Sequence, residues 1–296
     1  MRVLVTGCKG QLGRELLRQL AEGGSSLGPI PTRFEGAVAV GIDLDELDIT
    51  DKHAVKQFLR EGSFDIVFNC AAFTNVDACE TDRETAYKAN ALGIRYLAEA
   101  CEKTGTQLMH ISTDYVFPGT DPTPRTEYDL PAPISAYGKT KYAGEMFVRE
   151  ECTRYFILRT AWLYGEGKNF VRTILRVAKE RGKVTVVNDQ FGNPTSTVDL
   201  AHHMLKIADG APYGIYHATN NGVCSWYDFA KEFVALAGVE AEVAPCTSDE
   251  YPTPTKRPAY SALDNLALRC TVGDDFRPWQ EAIAEYINKL KENGEI

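Results

Sequence analysis

The sequence lacks any long apolar run. None of its stretches approaches the roughly 18–20 apolar residues that a helix needs to cross a bilayer. The start, MRVLVTGCKG, has a short apolar stretch followed by glycines, which predicts a buried first strand rather than a signal peptide. We therefore expect no membrane partner and a cytoplasmic location.

Paired cysteine and histidine motifs are also missing. The eight cysteines include no CxxC pair, and the five histidines form no HExxH motif. Scattered cysteines in a long chain indicate reduced thiols rather than a disulfide framework. The adjacent His202 and His203 would point in different directions on a helix. We predict neither disulfides nor a histidine-based metal site.

Basic residues are too few for a general nucleic-acid surface. Lys and Arg number 32 against 41 Asp and Glu, for a net charge of −9. Nucleic-acid binding needs a basic surface, so we expect no nucleic-acid partner. A small anionic ligand stays possible, because a helix N-terminus and a few cations can bind phosphate locally.

Short apolar strands alternate with amphipathic helical stretches along the chain. The predicted strands are 2–6, 38–42, 65–70, 107–112, 155–159 and 184–187. Helices are predicted at 10–21, 84–104 and 137–151, and loops at 23–36 and 118–133. This order predicts an α/β fold, a Rossmann-type doubly wound parallel sheet covered on both faces.

The parallel rhythm weakens after residue 205, and residues 245–258 hold four prolines. We therefore expect a smaller C-terminal substrate-binding lobe beside the sheet. The predicted division is a dinucleotide-binding domain over residues 1–165, to whose sheet residues 180–205 return, and a lobe made mainly of residues 166–296.

Three glycines mark the turn between the first strand and the first helix. Gly7, Gly10 and Gly13 stand in TGCKGQLG. Glycine permits a tight turn and lets a pyrophosphate approach the amides at a positive helix end. The bland alternative is a turn that only packs the helix closely on the strand. The position of the motif favours dinucleotide binding.

Signals for the choice of cofactor conflict. Asp43 ends the second strand, where an acidic residue binds the adenosine ribose 2′-hydroxyl and disfavours a 2′-phosphate. Lys9, inside the glycine turn, would instead attract a 2′-phosphate. Ala71 and Ala72, after the third strand, either leave room for a cofactor or belong to an ordinary strand end.

The spacing Tyr137-x-x-x-Lys141 places a phenol and an ammonium on one helix face. The lysine and a nicotinamide cation would both favour the phenolate and so lower the tyrosine pKa. Ser112 and Thr113 end the preceding strand, where a hydroxyl either hydrogen-bonds a substrate carbonyl or only caps the strand. Asp114 would reach a substrate hydroxyl.

A set of longer motifs runs almost from end to end. They are TGCKGQLG at 6–13, LDITD at 47–51, NCAAFTNVDACE at 69–80, STDYVF at 112–117, YGKTK at 137–141, RTAWLYG at 159–165, NDQFGNPT at 188–195 and RPAYSAL at 257–263. Together they resemble the extended short-chain dehydrogenase/reductases, and most closely the dTDP-4-dehydrorhamnose reductases.

The resemblance implies a role for each matching residue. Tyr137 would donate the proton, Lys141 would orient it and bind the nicotinamide ribose, and Thr113 would complete the triad. Thr113, Asp114 and Tyr137 would meet the sugar, with Trp162 as a wall or, alternatively, a core aromatic. The cofactor-binding residues expected from the glycine turn, the second strand and the resemblance, besides Tyr137 and Lys141, are Gly7, Gly10, Gln11, Leu12, Gly13, Asp43, Asp48, Ile49, Ala71, Ala72 and Thr74.

The implied reaction is reduction of the C4 keto group of dTDP-4-dehydro-β-L-rhamnose, with NADPH as cofactor and NADH also accepted. The alternatives are another nucleotide-sugar reductase or epimerase, or a non-catalytic cofactor-binding regulatory subunit. Some members of the family are described as Mg²⁺-linked dimers. Because Val198 stands where we align a family glutamate, we expect no metal, and either a monomer or a homodimer.

Overall fold

The computed structural model describes residues 1–296. Strands longer than two residues are β1 (Arg2–Thr6), β2 (Val38–Ile42), β3 (Ile66–Asn69), β4 (Gln107–Thr113), β5 (Tyr155–Thr160), β6 (Lys183–Val187), β7 (Gly214–His217) and β8 (Glu242–Cys246). Two-residue strands lie at Gly24–Ser25, Gly28–Pro29, Leu163–Tyr164, Phe191–Gly192, Thr195–Ser196 and Cys224–Ser225.

The longer helices are α1 (Gln11–Glu22), α2 (Lys52–Gly62), α3 (Gly93–Thr104), α4 (Ala136–Glu151), α5 (Phe170–Arg181), α6 (Thr197–Gly210), α7 (Trp226–Ala237) and α8 (Trp279–Glu292). Shorter helical segments are Thr32–Phe34, Val76–Thr81, Arg83–Tyr87, Lys88–Leu92, Asp114–Val116 and Leu266–Cys270. No helix combines the length and the apolar character required to span a membrane.

The central sheet has six parallel strands in the order β7-β5-β4-β3-β1-β2. Alternate residues of each strand face opposite sides, so Val3 and Val5 of β1 pack towards α1 and α6 while Leu4 packs towards α2 and α3. Because both sides are covered, the middle residues of β1, β3 and β5 are apolar on both faces of the sheet. The predicted doubly wound fold is confirmed.

The strand order reverses between β1 and β3. From β1 the chain passes to β2 on one side and then returns to β3 on the other. In such sheets a crevice opens at this switch point, outside the carboxyl ends of the strands. The glycine turn after β1 and the residues after β3 therefore meet at this crevice.

The prediction that residues 180–205 return to this sheet is wrong for β6, the strand that lies within this range. β6 pairs in parallel with β8 in a separate two-stranded sheet. Its buried Val184 and Val186 alternate with exposed residues, so only one side of β6 is apolar. A strand of that kind suits a sheet with one covered face. The sixth central strand is β7, which follows residue 205, and α6 before it packs on α1.

The C-terminal lobe has a hydrophobic core of its own. Side chains from α5, α7 and α8 pack with those of β6, among them Leu175, Phe229, Phe233 and Ile283. The loop expected at 23–36 contains a short antiparallel hairpin and one turn of 3₁₀ helix. All eight cysteines are free, as the sequence predicts.

The helix predicted over 84–104 is interrupted by a π-helical segment at Lys88–Leu92. There the Asn90 side chain forms two hydrogen bonds with the backbone of Phe73. It accepts one from the Phe73 amide at 2.8 Å and donates one to the Phe73 carbonyl at 3.0 Å. The segment thus fixes the chain that follows β3.

Candidate active site

The glycine turn brings the first turn of α1 against the end of β3. Gly7 has φ of 65°, and a Cβ there would lie 2.7 Å from the amide nitrogen of Ala71. At Gly13 a Cβ would lie 2.4 Å from the carbonyl oxygen of Gly7. No side chain caps α1 at Gly10, so its N-terminal amides face the crevice, where they suit a diphosphate.

One cleft of about 1070 Å³ opens over this crevice. All sixteen residues proposed for catalysis, cofactor binding or substrate binding line it. They come from the ends of β1 to β5, the start of α1 and the start of α4. The structure therefore brings together, in one space, residues that the sequence spreads from Gly7 to Trp162.

Ion pairs occupy the end of the cleft beyond β2. The Lys9 ammonium bonds the Asp45 carboxylate at 2.6 Å and lies 3.5 Å from Glu46, which together raise the pKa of Lys9. The Asp43 carboxylate instead accepts hydrogen bonds from the backbone amides of Lys9 at 3.0 Å and Leu44 at 2.9 Å. The carboxylate of Asp43 thus shapes the turn beside the expected ribose position.

The triad residues lie where α4 crosses the end of β4. Ser135 caps α4 by accepting the amide of Gly138 at 3.1 Å, which places Tyr137 in the first turn over Thr113. The ring of Tyr137 packs edge-on against Tyr115, with ring centroids 5.6 Å apart. The Thr113 hydroxyl bonds Asp114 at 2.9 Å and accepts the amide of Tyr115.

Burial dominates the electrostatics of Tyr137 and Lys141. It raises the pKa of Tyr137 well above its usual value, and the neighbouring Asp114 adds to the rise while Thr113 opposes it. It lowers the pKa of Lys141 to about 8, opposed by the charge of Glu145. Any lowering of the Tyr137 pKa by Lys141 does not offset this burial in the protein without cofactor. The Lys141 ammonium donates to the Ile111 carbonyl at 2.6 Å.

A protonated Tyr137 suits the donation of a proton to a carbonyl that is being reduced. Asp114 is buried as well, and burial raises its pKa to about 6, with Ser261 and Thr113 opposing the rise. One of its oxygens, Oδ2, has no hydrogen-bond partner although it is buried. A substrate hydroxyl would satisfy it.

Two stacked tryptophans form the wall of the cleft on the side of the C-terminal lobe. Trp162 has φ of 46°, a strained value for a bulky residue, and its ring lies flat on Trp226 with centroids 3.6 Å apart. A Cβ at Gly192 would lie 2.6 Å from the Trp162 ring. Glycine at that position therefore makes room for the wall.

Comparison with known proteins gives consistent matches over nearly the whole chain. A family model described as the RmlD substrate binding domain matches residues 1–292. A crystal structure of dTDP-4-dehydrorhamnose reductase from Clostridium acetobutylicum is 47% identical, with a TM-score of 0.93, and covers 98% of this chain and 100% of that one. The chain belongs to the dTDP-4-dehydrorhamnose reductase family.

Two further similar proteins have names that mention a cofactor or a substrate. The dTDP-4-dehydrorhamnose reductase of Bacillus anthracis, crystallised with NADP, is 40% identical with a TM-score of 0.90 over 97% of this chain and 99% of that one. A Streptomyces antibioticus protein named as a probable dTDP-4,6-dihydroxy-2-methyloxan-3-one 4-ketoreductase is 43% identical over 96% of this chain and 94% of its own length.

Three residues beside this dTDP-4-dehydrorhamnose reductase cleft were missed by sequence reasoning. Trp226 stacks on Trp162, Ser261 opposes the pKa rise of Asp114, and Glu145 lies one turn beyond Lys141 on α4. Ser261 stands in the RPAYSAL motif, which could have drawn attention to it. No spacing in the sequence points to Trp226, because its partner lies in another element far along the chain.

Proposed function

We propose that this chain reduces the C4 keto group of dTDP-4-dehydro-β-L-rhamnose to give dTDP-L-rhamnose, with NADPH as the electron donor. The observation that carries this proposal is the convergence of Tyr137, Lys141 and Thr113 on the same cleft as the glycine turn. The family relationship supports the choice of sugar nucleotide.

The residues of the chain have separate tasks in this reaction. The reduced nicotinamide, when bound, supplies the hydride that adds to C4. Tyr137 gives its proton to the C4 oxygen, so that the carbonyl gains one hydride and one proton and becomes a hydroxyl. Thr113 holds that oxygen, and Lys141 orients the nicotinamide ribose. Asp114 accepts a hydrogen bond from a hydroxyl of the sugar, and the Trp162 ring forms one side of the sugar site.

The cofactor would lie along the switch-point crevice, with its diphosphate at the start of α1. A relative crystallised with NADP supports NADPH, and we propose that NADH is also accepted because Lys9 is held by Asp45. The wall around Trp226 supports a substrate-binding role for the lobe formed mainly by residues 166–296. The free thiols support a cytoplasmic location.

Turnover with the natural pathway as substrate source tests the proposal. The chain is mixed with NADPH, dTDP-glucose and the two enzymes that convert it to the 4-keto sugar, and dTDP-L-rhamnose is measured by chromatography and mass spectrometry. We expect dTDP-L-rhamnose in amounts matching the NADPH consumed. A matched reaction with Tyr137→Phe controls for reduction by contaminants.

The outcome also separates the alternatives. NADPH consumption only with the Streptomyces relative's type of 4-keto sugar, dTDP-4,6-dihydroxy-2-methyloxan-3-one, would indicate a different nucleotide-sugar reductase. Tight NADPH binding without turnover of either sugar would indicate a regulatory subunit instead. Sedimentation in the same buffer distinguishes the monomer from the homodimer.

A further inference from the structure

A buried carboxylate lies one helical turn beyond Lys141 and outside the predicted triad. Glu145 has a relative exposure of 1% and is gripped by Arg159, whose Nε and Nη2 donate to its two oxygens at 3.0 and 2.7 Å. Ser112 adds a third donor, its hydroxyl lying 2.5 Å from Glu145. All three side chains are buried, so the network is screened from water.

The network joins three elements at the level of the triad. Ser112 and Arg159 are register partners on β4 and β5, and Glu145 on α4 binds both of them. Ser112 also stands directly before Thr113. One residue earlier on β4, the Ile111 carbonyl accepts a hydrogen bond from the Lys141 ammonium. Glu145 therefore fixes α4 against the strand end that carries Thr113.

Stability alone is a poor explanation for such a pair. Removing two charges from water costs about as much as their attraction returns, and apolar replacements of buried pairs are often neutral or stabilising. A buried fork does fix geometry, because two parallel hydrogen bonds allow one orientation. Glu145 also acts on the reaction centre directly, since its charge opposes the effect of burial on Lys141.

We propose that Glu145 is a positioning residue for the reduction: its bonds to Arg159 and Ser112 set the register of α4 over β4 and hold its carboxylate one helical turn from the Lys141 ammonium. This inference rests on the proposed function for its kinetic readout. A charged Lys141 is what the ribose hydroxyls of the cofactor need as a donor, so loss of its proton weakens both cofactor orientation and turnover.

Few other charges face Lys141. Cys70, beyond the end of β3, is kept neutral because burial raises the pKa of its thiol to about 12. His110 on β4 is also neutral, since burial holds its pKa well below the usual value. Tyr137, on the same helix, stays protonated for the reason given above. Glu145, one turn away on the same helix, is thus the carboxylate whose charge acts on Lys141.

The test compares Glu145→Gln with Glu151→Gln. Glu151 also pairs with an arginine from a neighbouring helix, Arg95 at 2.6 Å, but on the exposed end of α4. We expect Glu145→Gln to lower kcat by about 10-fold or more and to move the alkaline fall of the pH–kcat profile down by about one pH unit. Glu151→Gln should match the wild type in both.

The direction of the shift follows from the charge. Burial lowers the pKa of Lys141 to about 8, and its protonated form is lost as the pH rises through that value. Without the Glu145 anion this loss occurs at lower pH. A merely structural role would lower kcat without moving the alkaline limb, so an unmoved limb in a folded variant would overturn the proposal.

A second variant covers the case in which Glu145→Gln leaves a buried guanidinium unpaired and does not fold. The double change Glu145→Gln with Arg159→Met removes both charges, and Lys141 responds to Glu145 rather than to Arg159, so the limb should still move. NADPH binding measured against pH gives the same shift without any sugar substrate. If the wild type binds NADPH but does not reduce the sugar, the proposed function is refuted. The pH dependence of NADPH binding in the wild type and the Glu145 variants then still tests this inference.

Discussion

The Tyr137 hydroxyl is the proton donor that we propose for the reduction. Burial holds its pKa well above the usual value, so the phenol enters the reaction protonated and can give its proton to the C4 oxygen. We expect Tyr137→Phe to lower kcat by at least ~10²-fold, the range for loss of a positioned proton donor. NADPH affinity should change little, because Lys141 keeps its bond to Ile111.

Stopped-flow measurement of hydride transfer and fluorescence titration of NADPH check these two statements separately. Tyr142→Phe, a phenol on the same helix outside the cleft lining, serves as the control. Turnover of Tyr137→Phe near the wild-type rate would remove the tyrosine from the mechanism.

We predict that the preference between NADPH and NADH depends on Asp43 and Lys9. Asp43 repels a 2′-phosphate, so its loss should move the preference further towards NADPH. The structure adds a complication, since the Asp43 carboxylate also holds the backbone amide of Lys9. Asp43→Ala removes both the charge and this bond, whereas Asp43→Asn keeps an oxygen acceptor without the charge.

We expect both variants to raise the ratio of kcat/KM for NADPH over kcat/KM for NADH. A change in Asp43→Ala that lowers both values equally, with no change in Asp43→Asn, would show that Asp43 acts only on the turn. The Lys9 ammonium must leave Asp45 to meet a phosphate, so Asp45→Asn should raise the same ratio.

At the residue scale, motif reading identified residues that share one strand end or one helix face. Tyr137 and Lys141 are such a pair, and the structure places both in the cleft. Trp226 and Glu145 were not found, because their partners Trp162 and Arg159 come from other elements. Which residues meet across elements depends on the packing of the chain, and local spacing carries no record of it.

At the scale of elements, apolar periodicity predicts six of the eight longer strands and the helices α1 and α4 to within one residue at each end, and α3 is the second half of the helix predicted over 84–104. The π segment at Lys88–Leu92 was not predicted, because it depends on contacts with other elements rather than on the apolar pattern of its own residues. Its cause is tertiary: Asn90 bonds the backbone of Phe73, and its own carbonyl packs against α4.

That packing makes a prediction about Gly144 on α4. A Cβ there would lie 2.3 Å from the carbonyl oxygen of Asn90, a backbone atom that cannot move without its helix. Glycine to alanine in a helix normally stabilises by about 1 kcal/mol. Here overpacking, which costs roughly 1–3 kcal/mol, should reverse the sign. We expect Gly144→Ala to lower the melting temperature and, by displacing α4, to lower kcat.

Gly210→Ala is the matched control. Gly210 is also helical, in α6, but its added Cβ would lie 3.6 Å from Val272, an ordinary contact. Its melting temperature should stay equal or rise. Thermal unfolding of both variants decides the matter, and a stabilised Gly144→Ala protein would show that α4 and the π segment are less tightly packed than the structure indicates.

At the scale of the whole molecule, the expected sheet was right in kind and wrong in its last strand. β6 and β7 are both short and partly apolar, so neither length nor composition tells which one joins β5. The difference lies in what covers them: β7 is flanked by the sheet core, whereas β6 lies on α5 and α7 in the lobe. Coverage is a property of the complete fold.

Three carboxylates close to Val198 in space or in sequence already have partners within this chain. Glu15 accepts from Arg18 at 2.6 and 3.0 Å and from Gln19 at 2.7 Å. Asp199 accepts from Arg277 at 2.9 and 2.7 Å and is fully buried. Glu295 pairs with Arg172. No group of three His, Cys, Asp or Glu side chains is placed to hold an ion.

We therefore expect turnover to need no divalent metal. Mg²⁺ demands oxygen ligands in a near-octahedral array, and at residue 198 this chain offers a valine where a ligand carboxylate would be required. The reduction itself needs no Lewis acid when Tyr137 supplies the proton.

After dialysis against EDTA, kcat and the sedimentation coefficient should equal those measured with millimolar Mg²⁺. Val198→Glu gives the matched comparison, since it adds the missing carboxylate beside Glu15 in the hollow that both residues line. Activity lost with EDTA and restored by Mg²⁺ in the unchanged protein would contradict the prediction.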